Sequence, residues 1–153
     1  MLMKWRKIQM LEEMQSFFTN RVDGYDEHMI SCVEGCKEAY QKIAQFVPDD
    51  AKQLLDLGCG TGLELEEIFR MYPEMEVTGI DLTEAMLAQL KKKYAHRKLN
   101  LINGDYFKEE FGVNHYDTPC TIDNQKTMLL NAGFKDVELI WREGNTTLMV
   151  AHK

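Results

Sequence analysis

Three glycines at positions 58, 60 and 62 follow an acid, Asp56, in the run Gln53-Leu54-Leu55-Asp56-Leu57-Gly58-Cys59-Gly60-Thr61-Gly62. The run reads as a strand that ends in a glycine-rich turn opening a helix. Glycine lets the backbone approach a ligand closely, and free N–H groups at the start of a helix favour a carboxylate or phosphate. Such a turn suits a nucleotide-like cofactor. A second run, Glu76-Val77-Thr78-Gly79-Ile80, ends in Asp81, 23 residues beyond Gly58, where an acid can accept both hydroxyls of a ribose. A third, Leu99-Asn100-Leu101-Ile102-Asn103-Gly104, ends in Asp105-Tyr106, suited to the edge and face of an adenine. Each of three strand ends thus carries an acid.

The dinucleotide fingerprint requires a third glycine at position 63, which here is Leu63. That substitution and the Asp105-Tyr106 pair argue against a nicotinamide dehydrogenase. Bland readings remain beside the ligand readings. Asp81 could cap the following helix, although Thr83 is the better N-cap. Asp105 could be a turn acid and Asp56 could orient backbone without touching a ligand.

The elements that must position these acids follow from periodicity. Residues 4–18 place Trp5, Ile8, Leu11, Met14 and Phe18 at helical spacing, and a second helix is expected over about 25–46, ended by Pro48-Asp49-Asp50. Leu54, Leu55 and Leu57 suit a strand covered on both faces. Leu63, Leu65, Ile68, Phe69 and Tyr72 mark a helix stopped by Pro73, and Met86, Leu87 and Leu90 form the inner face of the next. Alternating strands and helices predict a parallel sheet. Thr121 caps a last helix that stops at Gly133, and segments 137–141 and 146–151 flank a glycine-containing loop as an antiparallel hairpin.

With these residues in place, the chain resembles the class I S-adenosylmethionine-dependent methyltransferases. The resemblance rests on LLDLGCGTG, VTGIDLTEAML and LINGDYF, with FFTNRVDGYDEHM upstream resembling the opening segment of small bacterial members. It covers most of 15–113 and resumes over about 117–153. It implies an α/β, Rossmann-like parallel sheet flanked by helices with a C-terminal antiparallel hairpin. The whole is one domain: N-terminal helices over 1–47, a cofactor-binding half over 52–113, and a terminal helix and hairpin over 118–153. By the resemblance, Asp56, Gly58, Cys59, Gly60 and Gly62 cradle the methionine part of S-adenosylmethionine. Asp81 holds the ribose with Leu82 beside the adenine, Asp105 meets the adenine amino group with Tyr106 adjacent, and Tyr25 lies over the methionine end. Tyr25 and Phe18 read equally well as ordinary lid or core aromatics.

Members of the family continue with a fourth strand, a helix, a Pro-Gly turn and a fifth strand. Here Asn114-His115-Tyr116-Asp117 resembles the start of the fourth strand and runs directly into Thr118-Pro119-Cys120-Thr121, the lead into the last helix. The sheet is therefore expected to be shorter than the usual seven strands, lacking loops that bind the methyl acceptor. The expected function is methyl transfer from S-adenosylmethionine to a small-molecule acceptor, leaving S-adenosylhomocysteine. The alternative is a non-catalytic module or minimised scaffold of the same fold. No catalytic base is assigned; His115 and Tyr116 lie nearest the expected rim, or are simply loop residues at a shortened junction. The exposed edge of the first strand is either covered by the terminal hairpin or joined to another chain, and a homodimer is expected.

The net charge of −7 over 153 residues argues against a large phosphate-binding face and so against nucleic acid. Lys91, Lys92, Lys93, Arg97 and Lys98 are expected to be solvated, complementing a helix end. No leader or membrane span is legible, so a cytoplasmic setting is expected. Cys32, Cys36, Cys59 and Cys120 are expected to be free thiols, with Cys32 and Cys36 on one helical face and no metal bound.

Overall fold

The structure is a computed structural model that describes residues 14–105 and 121–153. Three short helices lead in: α1 (Met14–Thr19), α2 (Tyr25–Ser31) and α3 (Cys36–Ile43), the last extended by a 3-10 turn over Ala44–Phe46. An alternating segment follows: β1 (Gln53–Leu57), α4 (Leu65–Met71), β2 (Glu76–Asp81), α5 (Glu84–Lys93) and β3 (Leu99–Asn103). Then come α6 (Ile122–Asn131), β4 (Asp136–Glu143) and β5 (Thr146–His152).

The α/β expectation holds. Strands β1, β2 and β3 form a parallel sheet in that order, with Leu57 beside Ile80 and Ile80 beside Ile102. Leu65, Ile68 and Phe69 of α4 and Leu87 and Leu90 of α5 cover one face, packing on Val77, Leu54, Leu99 and Leu101. Burial of apolar area here, at ~25 cal/mol per Å2, is what holds the helices to the strands. The opposite face is open. Leu55 is 59% exposed, Leu57 51% and Ile102 44%, so β1 is not the doubly covered strand its leucines suggest. An apolar run cannot say which of its faces finds a neighbour.

The helix expected over 25–46 is interrupted. Gly35 adopts a left-handed φ of +77°, and a Cβ there would stand 2.8 Å from the Trp141 ring and 2.9 Å from Glu143 Cβ. The break lets the terminal hairpin approach the backbone. It also separates Cys32, at the end of α2 and exposed, from Cys36, the buried first residue of α3, so the two do not share a helical face.

The hairpin forms its own two-stranded sheet and does not extend β1. Its strands pair from Asp136–His152 to Glu143–Thr146, with an irregularity between Leu139 and Trp141, and Gly144 supplies the positive φ of the turn. Thr146 Oγ1 donates to the Glu34 carbonyl at 2.7 Å, fixing β5 beside α3. Thr121 caps α6 as expected, its hydroxyl accepting from Asn124 N–H at 3.2 Å, and Gly133 ends it at φ +93°.

Of the basic run, Lys91, Lys92, Lys93 and Lys98 are exposed as expected, and Arg97 is half-buried. Arg97 donates to the Pro73 carbonyl at 2.9 Å and lies 5.1 Å from the Phe69 ring centre, while Lys98 stands 3.6 Å from both Glu74 and Glu76. Gly62 is the tightest point of the turn. Its φ is +72°, and a Cβ would lie 3.1 Å from both Leu65 and Leu90. Gly62→Ala is expected to destabilise the fold by ~2–4 kcal/mol, combining left-handed strain with overpacking, as urea denaturation would measure.

Candidate functional site

The carboxyl ends of the three strands gather the acids expected from the sequence. Gly58, Gly60 and Gly62 all have positive φ, at 77°, 48° and 72°, so the turn folds back without Cβ strain. Gly58 N–H and Cys59 N–H donate to the Ile80 carbonyl at 2.8 and 3.2 Å, and Gly62 N–H to the Cys59 carbonyl at 2.8 Å. Gly60 N–H donates to Asp81 Oδ2 at 2.9 Å. Four amides of the turn are therefore spent within the protein rather than presented to an anion. Helix α4 begins only at Leu65, with Glu64 at its N-cap.

Asp81 is the hub of the turn. Besides Gly60, its Oδ1 accepts from Thr83 N–H at 2.7 Å. Thr83 stands at the N-cap of α5 as expected, but its hydroxyl makes no cap bond; its own N–H is the amide that Asp81 accepts. Asn103, not singled out by the sequence, ties β3 to β2 by donating to the carbonyls of Asp81 and Leu82 at 3.1 and 3.0 Å. Asp105 closes β3 on the same rim with Gly104 N–H bonded to the Asp81 carbonyl at 3.0 Å. Tyr106, His115, Tyr116 and Cys120 lie outside the described residues.

Asp56 lies on the helix-covered face of β1, in register with Gly79, and meets Glu64 from the other side of the turn. Burial, the Asp56 hydrogen bond and the Asp56 charge push the Glu64 carboxyl up to about 9, with Lys93 opposing. Burial also raises Asp56, helped by the Asp81 charge and opposed by its hydrogen bond with Glu64. Burial and their mutual contact thus leave the pair holding a proton at neutral pH. Asp56 Oδ2 and Glu64 Oε1 are both buried and take no hydrogen bond from any other group among the described residues. Glu64 escaped the sequence reading; the available signal was an acid set between Leu63 and Leu65, both of which are buried.

Tyr25 comes to the same place. Burial raises its phenol, followed by the charges of Glu64 and Asp81, and its ring meets Phe18 edge-on at 6.2 Å. The next residue anchors α2 to the turn. Asp26 accepts from the Thr61 hydroxyl and from Lys93 Nζ at 2.6 Å, and Lys93 also donates to the Thr61 carbonyl at 3.0 Å. Cys59 is 2% exposed beneath the turn, and a Cβ at Gly79 would sit 2.8 Å from its sulfur. Burial first, then Asp56, Asp81 and Glu64, push its thiol up to about 12, which makes it a packing group and not a nucleophile.

The family model for a methyltransferase domain matches residues 54–135, which span the sheet, the turn and α6. The chain belongs to this methyltransferase-domain family. A malonyl-[acyl-carrier protein] O-methyltransferase of Legionella pneumophila is 30% identical over 106 residues, covering 69% of this chain and 37% of that protein. A trans-aconitate 2-methyltransferase of an Enterobacter species is 31% identical over 81 residues, covering 53% and 32%. The chain thus spans less than half the length of these curated relatives. A crystal structure of a candidate O-methyltransferase from Nostoc punctiforme superposes with a TM-score of 0.66 at 16% identity, over 94% of this chain and 62% of that one, which shows the shared fold. Asp56, Gly58, Cys59, Gly60, Gly62, Asp81, Leu82 and Asp105 lie within the matched residues and Tyr25 ahead of them, and all are among the described residues. Among the described residues, no group of three or more His, Cys, Asp or Glu side chains is disposed to hold a metal ion, and no helix is long and apolar enough to cross a membrane.

Proposed function

We propose that the turn and its acids bind S-adenosylmethionine for methyl transfer to a small-molecule acceptor. The observation that carries this reading is the charge of the site. Asp81 and the Asp56–Glu64 pair, which keeps one proton, surround a turn whose amides are largely spent, which disfavours the phosphates of a dinucleotide. S-adenosylmethionine has no phosphate and carries a sulfonium and an ammonium. Its ammonium would find carboxyl acceptors in Asp56 and Glu64, which are buried beside the turn. A Cβ at Gly60 would meet nothing within 4 Å, so the backbone there is open to a ligand.

In this reading Asp56, Gly58, Cys59, Gly60 and Gly62 hold the methionine end, Asp81 the ribose, and Leu82, Asp105 and Tyr106 the adenine. The bound cofactor supplies an electrophilic methyl group. The chain's own work is to orient it and exclude water, with Tyr25 of α2 closing over the site through the Asp26 anchor. The two relatives described are named for methylating a malonyl thioester carrier and trans-aconitate; the acceptor of this chain is proposed only as a small molecule. Calorimetric titration with S-adenosylhomocysteine tests the site, and methyl transfer to a panel of carboxylate, amine, hydroxyl and thiol acceptors tests turnover. A folded chain that takes up no S-adenosylhomocysteine would sink the reading.

The free thiols Cys32, Cys36 and Cys59 suit a reducing compartment, in keeping with a cytoplasmic setting. A homodimer is proposed through the outer edge of β1, which pairs with no strand among the described residues and adjoins exposed Leu55 and Leu57. Light scattering is expected to give twice the chain mass, falling to one chain mass in Leu55→Lys; a single-chain mass at every concentration would reject the dimer.

A further inference from the structure

We propose a second small-molecule site in this chain, a cleft between the end of α5 and β3 that takes a carboxylate on a short apolar chain. It shares no residue with the acid-lined glycine turn and stands whether or not the turn binds a cofactor.

The lining carries the argument. The cleft has a volume of about 230 Å3 and is lined by Lys91, Tyr94, Ala95, Arg97, Leu99 and Leu101. Two of these are cations, none is an acid, and the rest are apolar or aromatic. On a chain of net charge −7 this is a local reversal of sign. One anionic head on an apolar body is the chemistry that complements it. Allowing ~30 Å3 for each water-sized unit, the space holds a chain of roughly seven heavy atoms.

Both cations have capacity for a carboxylate. A guanidinium offers five N–H donors. In Arg97, Nη1 donates to the Pro73 carbonyl at 2.9 Å, and Nε is buried and meets no acceptor among the described residues. Lys93 and Lys98 have carboxylate partners in Asp26, Glu74 and Glu76, whereas Lys91 and Arg97 have none among the described residues.

The walls are held before any ligand arrives. The Tyr94 hydroxyl donates to the Gly62 carbonyl at 2.9 Å, and its ring lies 5.3 Å from that of Phe69. The Arg97 guanidinium carbon lies 5.1 Å from the Phe69 ring centre. Leu99 and Leu101 pack against the core cluster. A site whose side chains are already ordered loses little entropy on binding, so a small ligand can bind with few contacts.

The test is a titration of the isotope-labelled chain with sodium hexanoate, read by amide chemical shifts. Saturable shifts are expected, largest at Lys91, Tyr94, Ala95, Leu99 and Leu101. Hexylammonium and hexan-1-ol keep the chain and change the head; acetate and inorganic phosphate keep the charge and lack the chain. Each should bind at least ~10-fold more weakly than hexanoate. Lys91→Glu, at an exposed position, should weaken hexanoate ~3- to 10-fold, and Arg97→Gln ~10- to 100-fold. No saturable shift, or shifts centred elsewhere, would overturn the site. Equal binding of hexylammonium would remove the role of the cations. Equal binding of acetate or phosphate would reduce the cleft to an adventitious ion only, and hexanoate binding unchanged in both variants would reject the two side chains. The comparison among ligands uses the wild-type chain, so misfolding of Arg97→Gln would leave the test intact.

Discussion

Asp81→Ala is expected to lower affinity for S-adenosylhomocysteine ~100-fold or more. The carboxylate has about four acceptor positions. Two are used, by Gly60 N–H at 2.9 Å and Thr83 N–H at 2.7 Å. The two that remain match the vicinal hydroxyls of a ribose. Hydrogen bonds to a charged group contribute ~1.5–3 kcal/mol each, so losing two gives ~3–6 kcal/mol, and each 1.4 kcal/mol is tenfold. The same substitution strips the glycine turn of a support, so weakened binding alone would not separate a ligand role from a structural one. A ligand lacking the ribose 2′-hydroxyl makes the separation. It should bind the wild-type chain more weakly than S-adenosylhomocysteine does, and the difference should shrink in Asp81→Asn, whose fold circular dichroism would verify. An unchanged preference for the hydroxyl in Asp81→Asn would assign Asp81 to the turn alone.

The double duty of Asp81 also shows where a sequence stops being readable. Local chemistry was legible: the glycine spacing at 58, 60 and 62 yields three positive φ angles, and the strand ends fall at Leu57, Asp81 and Asn103. The hairpin was legible because the apolar-rich segments 137–141 and 146–151 flank Gly144, whose positive φ the turn needs. What failed depended on distant neighbours. Gly35 breaks the second helix because Trp141 and Glu143, over a hundred residues away, pack against its backbone. Leu55 and Leu57 read as doubly covered because leucine types do not say whether a second layer exists. Glu64 was passed over because an acid in a helical start is ordinary by type; only its meeting with Asp56 across the turn makes it unusual. Lys93 read as one of a solvated run, yet it is drawn back to Asp26 and Thr61.

Glu64→Gln is expected to stabilise the chain in the absence of ligand, by an amount that grows with pH. Glu64 holds its proton to about 9 in the folded chain, against an ordinary 4.5. Between those values the folded state binds more protons than the unfolded one, so stability falls as pH rises, by at most ~1.4 kcal/mol per pH unit. Below about 4.5 both states are protonated and Glu64 exacts no penalty; above about 9 the penalty is complete. Asp56, raised by the same burial, adds in the same direction at the acid end. Glutamine keeps an N–H donor for Asp56 and removes the titration. Its urea midpoint should therefore match the wild type near pH 4 and exceed it clearly at pH 8.5, whereas parallel curves across that range would show that Glu64 ionises freely in the folded state. A chain that carries a cost of this kind without ligand has a site arranged for something it does not itself contain. If a cation relieves that cost, S-adenosylhomocysteine should raise the melting temperature of the wild type more at pH 8 than at pH 6. In Glu64→Gln, that pH dependence should be lost.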